Sequence, residues 1–194
     1  MNTKIVTYTG KSFDLLNPQP ETVCIEDIAH SLANLCRYTG HVKEFYSVAQ
    51  HCTIMAEADL PGDPLVRLLH DSAEAYIGDL SSPWKQLLYV GIPETIQVNA
   101  GYVTTKTWEQ KIQNVVGLAL GVNLEHSAEV KEADNRMYFT EVRDLMPPSA
   151  EFRKWRGDLK PLEHVIHPQS PKYAETSFLR LYKHLMEERD KAVE

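Results

Sequence analysis

The sequence predicts an all-α helical bundle with a small β-hairpin at its N-terminus. Three observations point there. Apolar residues recur at three- and four-residue spacing in successive segments between Ile28 and Leu185. Residues that favour helix starts, Asp63-Pro64, Ser127 and Ser170-Pro171, or glycines that favour helix ends, Gly40, Gly78 and Gly121, bound these segments. Short β-like pieces are placed only within residues 1–25. The expectation is one domain, 1–194, with 1–25 as a hairpin appendage.

Composition narrows the function classes. A hydrophobic fraction of 43% and a charged fraction of 24% are those of an ordinary soluble protein. No apolar run approaches the ~20 residues that span a membrane, and MNTKIVTYTG lacks the apolar core of a signal peptide, so no membrane partner and a cytoplasmic location are expected. Cys24, Cys36 and Cys52 form no CxxC pair and read as reduced core thiols. A net charge of −7 argues against stable nucleic-acid binding, but allows an anionic small substrate if cations are concentrated locally.

In chain order, KIVTYTG and ETVCI are expected to pair as the hairpin, separated by a turn at LLNPQP. Glu26 and Asp27 suit the positive end of a helix dipole, and Ile28, Leu32, Leu35 and Cys36 form a stripe that ends near Tyr38, before Gly40. Arg37, Tyr38 and His41 then sit at a helix end and in a loop, where side chains can reach a ligand. The next helix is expected from about Glu44 to Ala58, with Phe45, Val48, Ala49, Cys52, Met55 and Ala56 inward and His51 beside them.

The stretch from Leu65 to Lys85 organises the rest. Asp63 and Pro64 supply a capping carboxylate and a first-turn proline, and Leu65, Leu68, Leu69, Ser72, Ala73 and Tyr76 predict one helix to about Ile77, closed by Gly78. His70 and Asp71 interrupt that apolar run. Adjacent helical positions diverge by about 100°, so the two side chains can converge on an ion between them. Glu74 lies one turn on, and Asp79, Pro83 and Lys85 follow on a loop able to fold back over the site. Burying an imidazole beside a carboxylate is costly without compensation, which a divalent cation supplies.

Trp108, Ile112, Val115, Val116 and Ala119 predict a packed helix closed by Gly121, and Ser127 caps another to about Leu145. On that second helix Asp134 shares a face with Val130, Met137 and Glu141, a setting in which a carboxylate needs a partner. Residues 146–168 are irregular and hold a basic cluster at Arg153, Lys154 and Arg156. Ser170 and Pro171 open a last amphipathic helix, with Ala174, Phe178, Leu181, Tyr182 and Leu185 inward.

His51, the His70-Asp71 pair and Asp134 thus stand on three helices as a mixed nitrogen and oxygen donor set. Such a set suits one catalytic divalent ion: manganese, cobalt, zinc or nickel, with magnesium also admissible. In this order, H, then HD, then D, the chain resembles the HD-domain metal-dependent phosphohydrolases from about Ile25 to Leu185. HDSAEAYIGDLSSPWK is similar to the HD-x-x-E-x-x-x-x-D-L-x-x-P-x-K block of the deoxynucleotide 5′-nucleotidase branch, and VKEADNRMYFTEVRDL to the helix bringing the last aspartate.

The resemblance implies metal ligation by His51, His70, Asp71 and Asp134. It implies proton handling and water activation by Glu74 and Asp79, and substrate contacts by Arg37, Tyr38 and Lys85. Small phage-type dATP triphosphohydrolases share the architecture, so a deoxynucleoside mono- or triphosphate is the substrate expected, and a homo-oligomer, dimer or higher, the assembly. Two alternatives stand beside this. One is other HD chemistry, such as cyclic-nucleotide or alarmone hydrolysis, or a di-iron oxygenase drawing on His30 and His41. The other is a non-catalytic nucleotide- or partner-binding module.

Overall fold

The computed structural model describes residues 2–92, 101–149, 151–152 and 159–193. Its architecture is all-α, with two small two-stranded sheets. The basic cluster expected at Arg153, Lys154 and Arg156 lies outside the described residues.

Strands β1 (Lys4–Val6) and β2 (Ser12–Asp14) form the N-terminal hairpin, with Ile5 opposite Phe13. The second strand is therefore not ETVCI, as the sequence suggested. The chain reverses earlier, because Thr7 N–H donates to the Lys11 carbonyl and Gly10 N–H to that of Thr7, each at 2.9 Å. Phe13 then enters the core and stacks on Tyr76 at 3.8 Å, while Pro20–Thr22 make only a 3-10 turn. The buried Asp27 carboxylate accepts from Thr9 N–H at 2.6 Å and from its hydroxyl at 2.9 Å, which pins the hairpin to the first helix.

Helix α1 (Ile25–Asn34) buries Ile28, Ala29, Leu32 and Ala33 completely. A fully buried Ile or Leu side chain contributes about 1.5–3 kcal/mol relative to exposure. The helix ends four residues before Tyr38, contrary to the apolar spacing. Leu35 and Cys36 are extended, and Cys36 bridges Ser47; Arg37 N–H donates to the Tyr46 carbonyl at 2.9 Å and Val48 N–H to that of Leu35 at 3.1 Å. This bridge also delays α2 (Val48–Glu57) from the expected start at Glu44, leaving Phe45 exposed rather than inward. The Ser47 hydroxyl caps α2 by accepting from Gln50 N–H at 3.1 Å.

Helices α3 (Pro64–Leu69) and α4 (Glu74–Ile77) replace the single helix predicted across this stretch. The Gln113 side chain, reaching in from α6 (Thr105–Leu120), takes the Ala73 N–H at 2.8 Å and gives its own amide N–H to the Leu69 carbonyl at 2.7 Å. Those are the two backbone groups a continuous α-helix would join to each other, so the inserted amide breaks the ladder at the His70-Asp71 pair. Three-residue turn bonds, such as Ser72 N–H to Leu69 and Glu74 N–H to Asp71, bridge the gap. Gly78, at φ 83° where other residues are strained, then turns the chain out of α4.

The loop expected after Gly78 includes α5 (Ser82–Leu87), so Lys85 stands on a helix. A second antiparallel pair, β3 (Tyr89–Ile92) with β4 (Gly101–Thr104), precedes α6 where the sequence suggested no strand; Tyr89 and Tyr102 on it are exposed. Gly121 closes α6 in the left-handed conformation, φ 67°, and Ser127 caps α7 (Ala128–Leu145), as their sequence positions predicted. Helix α8 (Pro171–Val193) packs across α1, α2 and α3 through Ala174 and Phe178. Among the described residues no helix is long and apolar enough to cross a membrane.

Two apolar clusters result. One joins α1, α2, α3, α6 and α8; the other packs Met55 of α2 against Val130, Ala133, Met137 and Leu145 of α7 and against Leu162 and Ile166. Helix α2 belongs to both, and His51 lies on it.

Candidate metal centre

His51 is in the first turn of α2, wholly buried, with both ring nitrogens engaged. Its Nδ1 lies 2.6 Å from Glu141 Oε1 and its Nε2 3.3 Å from the Nε2 of His70. Burial alone would raise the Glu141 carboxyl, but the charges of Arg37 and His51 and bonds from His51 and Tyr38 hold it below its ordinary value. An ionised carboxylate only accepts, so Nδ1 of His51 carries the proton. His70 Nδ1 lies 2.7 Å from the Arg67 carbonyl, which also only accepts, so that nitrogen is a donor too.

Two neutral imidazoles held this way point Nε2 lone pairs at one another across 3.3 Å, which is repulsive unless a positive charge lies between them. Carboxylates close in on the same point. Asp71 Oδ2 lies 3.2 Å from His70 Nε2 and 3.8 Å from that of His51; Asp134 Oδ1 lies 3.4 Å from His51 Nε2 and 4.0 Å from that of His70. Ligands about 2.1 Å from one divalent ion sit about 3.0–4.2 Å from each other, so the spacing of His51, His70 and Asp71 fits a single ion. His51, His70 and Asp71 offer donor atoms within 4.8 Å of one another and can hold a metal ion; Asp134, 3.4 Å from His51 Nε2, lies outside that group.

The electrostatics agree with that fit. Five carboxyl groups, Asp71, Glu74, Asp79, Asp134 and Glu141, face two fixed cations, Arg37 and Lys85. Burial works against charge on Asp71, yet His70, His51 and Arg37 hold it well below the usual carboxylate range. Partial burial opposes charge on Asp134, whose side chain is 47% exposed, and His51 and His70 lower it. For His51, burial and Arg37 disfavour protonation, but Glu141 and Asp134 outweigh them and its pKa lies above the ordinary imidazole value. Burial disfavours it for His70 too, and Asp71 raises it well above. The carboxylates that raise these two imidazoles would equally favour a cation between them.

The other residues singled out in the sequence lie around this group. Glu74 is buried; one oxygen meets Lys85 Nζ at 3.2 Å, and the other has no hydrogen-bond partner among the described residues. Burial, then the charges of Asp71 and Asp79, pushes Glu74 well up, with Lys85 and Arg37 only partly offsetting. Burial also raises Asp79, which makes no hydrogen bond among the described residues. Lys85 is not a free cation: it is clasped by Glu74 and, at 2.8 Å, by Glu109 of α6.

Arg37 directs its fork at carboxylates rather than outward, with Nη1 3.4 Å from Asp71 Oδ2 and Nη2 3.4 Å from Glu141 Oε2. Tyr38 donates its hydroxyl to Glu141 Oε2, and its backbone is left-handed at φ 58°. Of the histidines considered for a second metal, His30 stacks on Tyr8 at 3.7 Å and pairs with Glu175, and His41 is exposed in the following loop.

No protein-family model matches the chain. It is 33% identical over 184 residues to the uncharacterised protein YfdR of Escherichia coli strain K12, covering 94% of this chain and 96% of that one. The chain belongs to the YfdR family. An uncharacterised protein of Rhodobacter capsulatus is 37% identical over 95 residues, or 44% of this chain and 48% of that protein.

In this member of the YfdR family, three residues of the centre carry little signal of their own in the sequence. Glu141 is one residue of the stripe carrying Asp134; the two lie seven apart, two helical turns, and that spacing is the available signal. Gln113 and Glu109 looked like ordinary polar positions of α6, and only the docking of that helix gives them partners.

Proposed function

We propose that the protein is a metal-dependent phosphohydrolase of the HD type, acting on a nucleotide, with a deoxynucleoside mono- or triphosphate the favoured substrate. The observation that carries this reading is the pair of histidines whose Nδ1 protons are both committed elsewhere, so that two Nε2 lone pairs and two carboxylates converge on one point. His51, His70, Asp71 and Asp134 would hold the ion, and the mixed donor set suits manganese, cobalt, zinc or nickel better than magnesium. When bound, a divalent cation makes water nucleophilic near neutral pH and neutralises phosphoryl charge.

The remaining steps belong to side chains. Glu74, with one oxygen held by Lys85 and one unpartnered, is placed to orient a water or hold its proton. Asp79, without a fixed partner among the described residues, is a second acid for the departing oxygen. Arg37 keeps the Asp71 carboxylate oriented, and Lys85 does the same for one oxygen of Glu74. Tyr38 offers an aromatic wall beside Arg37, whose guanidinium lies 5.5 Å from the ring centre.

The test is turnover of ribo- and deoxynucleoside mono-, di- and triphosphates by the full chain with added Mn²⁺ or Co²⁺, products being separated by chromatography. Release of phosphate, pyrophosphate or triphosphate that a chelator abolishes is the expected result. Tight metal binding with no turnover of any nucleotide would overturn the catalytic reading.

A further inference from the structure

Glu141 takes no part in the roles above, yet it is completely buried and is the most densely bonded carboxylate of the centre. A carboxylate removed from water needs several donors. Here Oε1 takes the His51 Nδ1 proton at 2.6 Å, and Oε2 takes the Tyr38 hydroxyl and faces Arg37 Nη2 at 3.4 Å. The opposite His51 tautomer would set a bare Nδ1 lone pair against this carboxylate and aim a proton from Nε2 into the space between the imidazoles. The carboxylate therefore selects the form of His51 whose Nε2 can donate electrons to a cation.

The same group also meets the Arg37-Tyr38 turn. Tyr38 and Thr39 both have left-handed backbones, φ 58° and 54°, which costs about 1–3 kcal/mol per non-glycine residue and persists only where neighbours hold it. The bond from the Tyr38 hydroxyl to Glu141 is such a hold. Asp134 and Glu141 share one face of α7, so a single rigid helix carries both a ligand-bearing carboxylate and this anchor.

We infer that Glu141 is a positioning residue that sets the His51 tautomer for metal binding and, through its other oxygen, fixes the Arg37-Tyr38 turn against the metal centre. The inference rests on the reading of the cluster as a metal centre. The cation and the turn are then linked: loss of the carboxylate loosens both.

The experiment uses the metal-stripped full chain. Nitrogen NMR of ¹⁵N-histidine-labelled protein at alkaline pH reads the neutral tautomer of His51, and titration calorimetry with Mn²⁺ reads affinity. Wild type is expected to show His51 protonated on Nδ1. Glu141→Gln is expected to shift that equilibrium and weaken Mn²⁺ binding about 10–100-fold, the range for residues that orient metal-ligating histidines. Tyr38→Phe, which keeps the Glu141–His51 bond, should weaken it less.

A wild-type His51 protonated on Nε2 would overturn the inference with no variant needed, even if Glu141→Gln fails to fold. Wild-type binding matched by Glu141→Gln would overturn it while leaving the metal centre standing. A wild-type chain that binds no Mn²⁺ would remove the metal centre and this inference together.

Discussion

Two buried charged sites lie three residues apart on one segment and are built on opposite plans. Arg67 is 3% exposed and directs its terminal nitrogens at the carbonyls of Ala56, Leu60 and Pro61, where α2 ends and the chain turns. At His70 and Asp71 the polarity is unmatched: imidazole lone pairs and carboxylate oxygens face each other, and Arg37 supplies the nearest cation. Donors meeting acceptors complete a structure. A surplus of acceptors pointing at one place is a structure that something else completes.

Removing each site should therefore fail in a different way, and this is the largest effect expected. His70→Ala or Asp71→Ala should lower Mn²⁺ affinity by about 100-fold or more, beyond the loss from an orienting residue, in the fraction of the chain that remains folded. Arg67→Ala should cost about 2–4 kcal/mol of stability, because buried carbonyls lose their donor, while the folded fraction still binds metal. Calorimetric titration and urea unfolding, run on the same three variants, separate the two. A loss of metal binding in Arg67→Ala equal to that in His70→Ala would erase the distinction.

Within the metal centre the contrast can be sharpened by Glu74→Ala. That variant is expected to keep its metal and lose turnover by about 10²–10⁴-fold, the usual contribution of a positioned acid or base. Metal analysis of the purified variant is the check; an empty variant would move Glu74 into the coordinating set.

The smallest effect is in pH. His51 and His70 have raised pKa values in the metal-free fold, against about 6.5 when unfolded. A raised folded pKa adds stability that is full below about pH 6.5 and is lost as pH rises through the folded value. The metal-free chain should lose a few degrees of Tm, on the order of 1 kcal/mol, over that interval. Metal affinity should move the other way and fall as pH drops, because the imidazoles must shed protons to bind. Melting with and without Mn²⁺ across pH 6–9 tests both signs; a metal-free Tm that rises over the same interval would contradict the assignment.

What could be read from the sequence was local. Ser127, Asp63-Pro64 and Gly121 announce helix boundaries through their own capping chemistry, and α6 and α7 end or begin there. His51, His70, Asp71 and Asp134 stood out because polar groups break apolar stripes, and the structure brings them together. The misplacements come from long-range partners. Leu35 and Cys36 continue the spacing of α1, but the bridge to Ser47 makes them extended. Tyr89, Val90, Tyr102 and Val103 have strand-forming side chains, yet the positions that pair stand well apart in the sequence, Val90 opposite Val103. Glu141 meets His51 across 90 residues of chain, a contact no window of sequence displays.

The Gln113 side chain that splits α3 from α4 also leaves a timing mark on the molecule. The amide proton of Ala73 is held by a group 40 residues away rather than by its own helix, so it is shielded only while α6 is docked. Its hydrogen-exchange rate thus reports the lifting of one helix, in isolation from the fraying of another. Because Asp71 lies inside the turn that this amide closes, the place of the aspartate depends on the docking of α6. A helix that carries none of the four converging side chains thus helps to hold them in place.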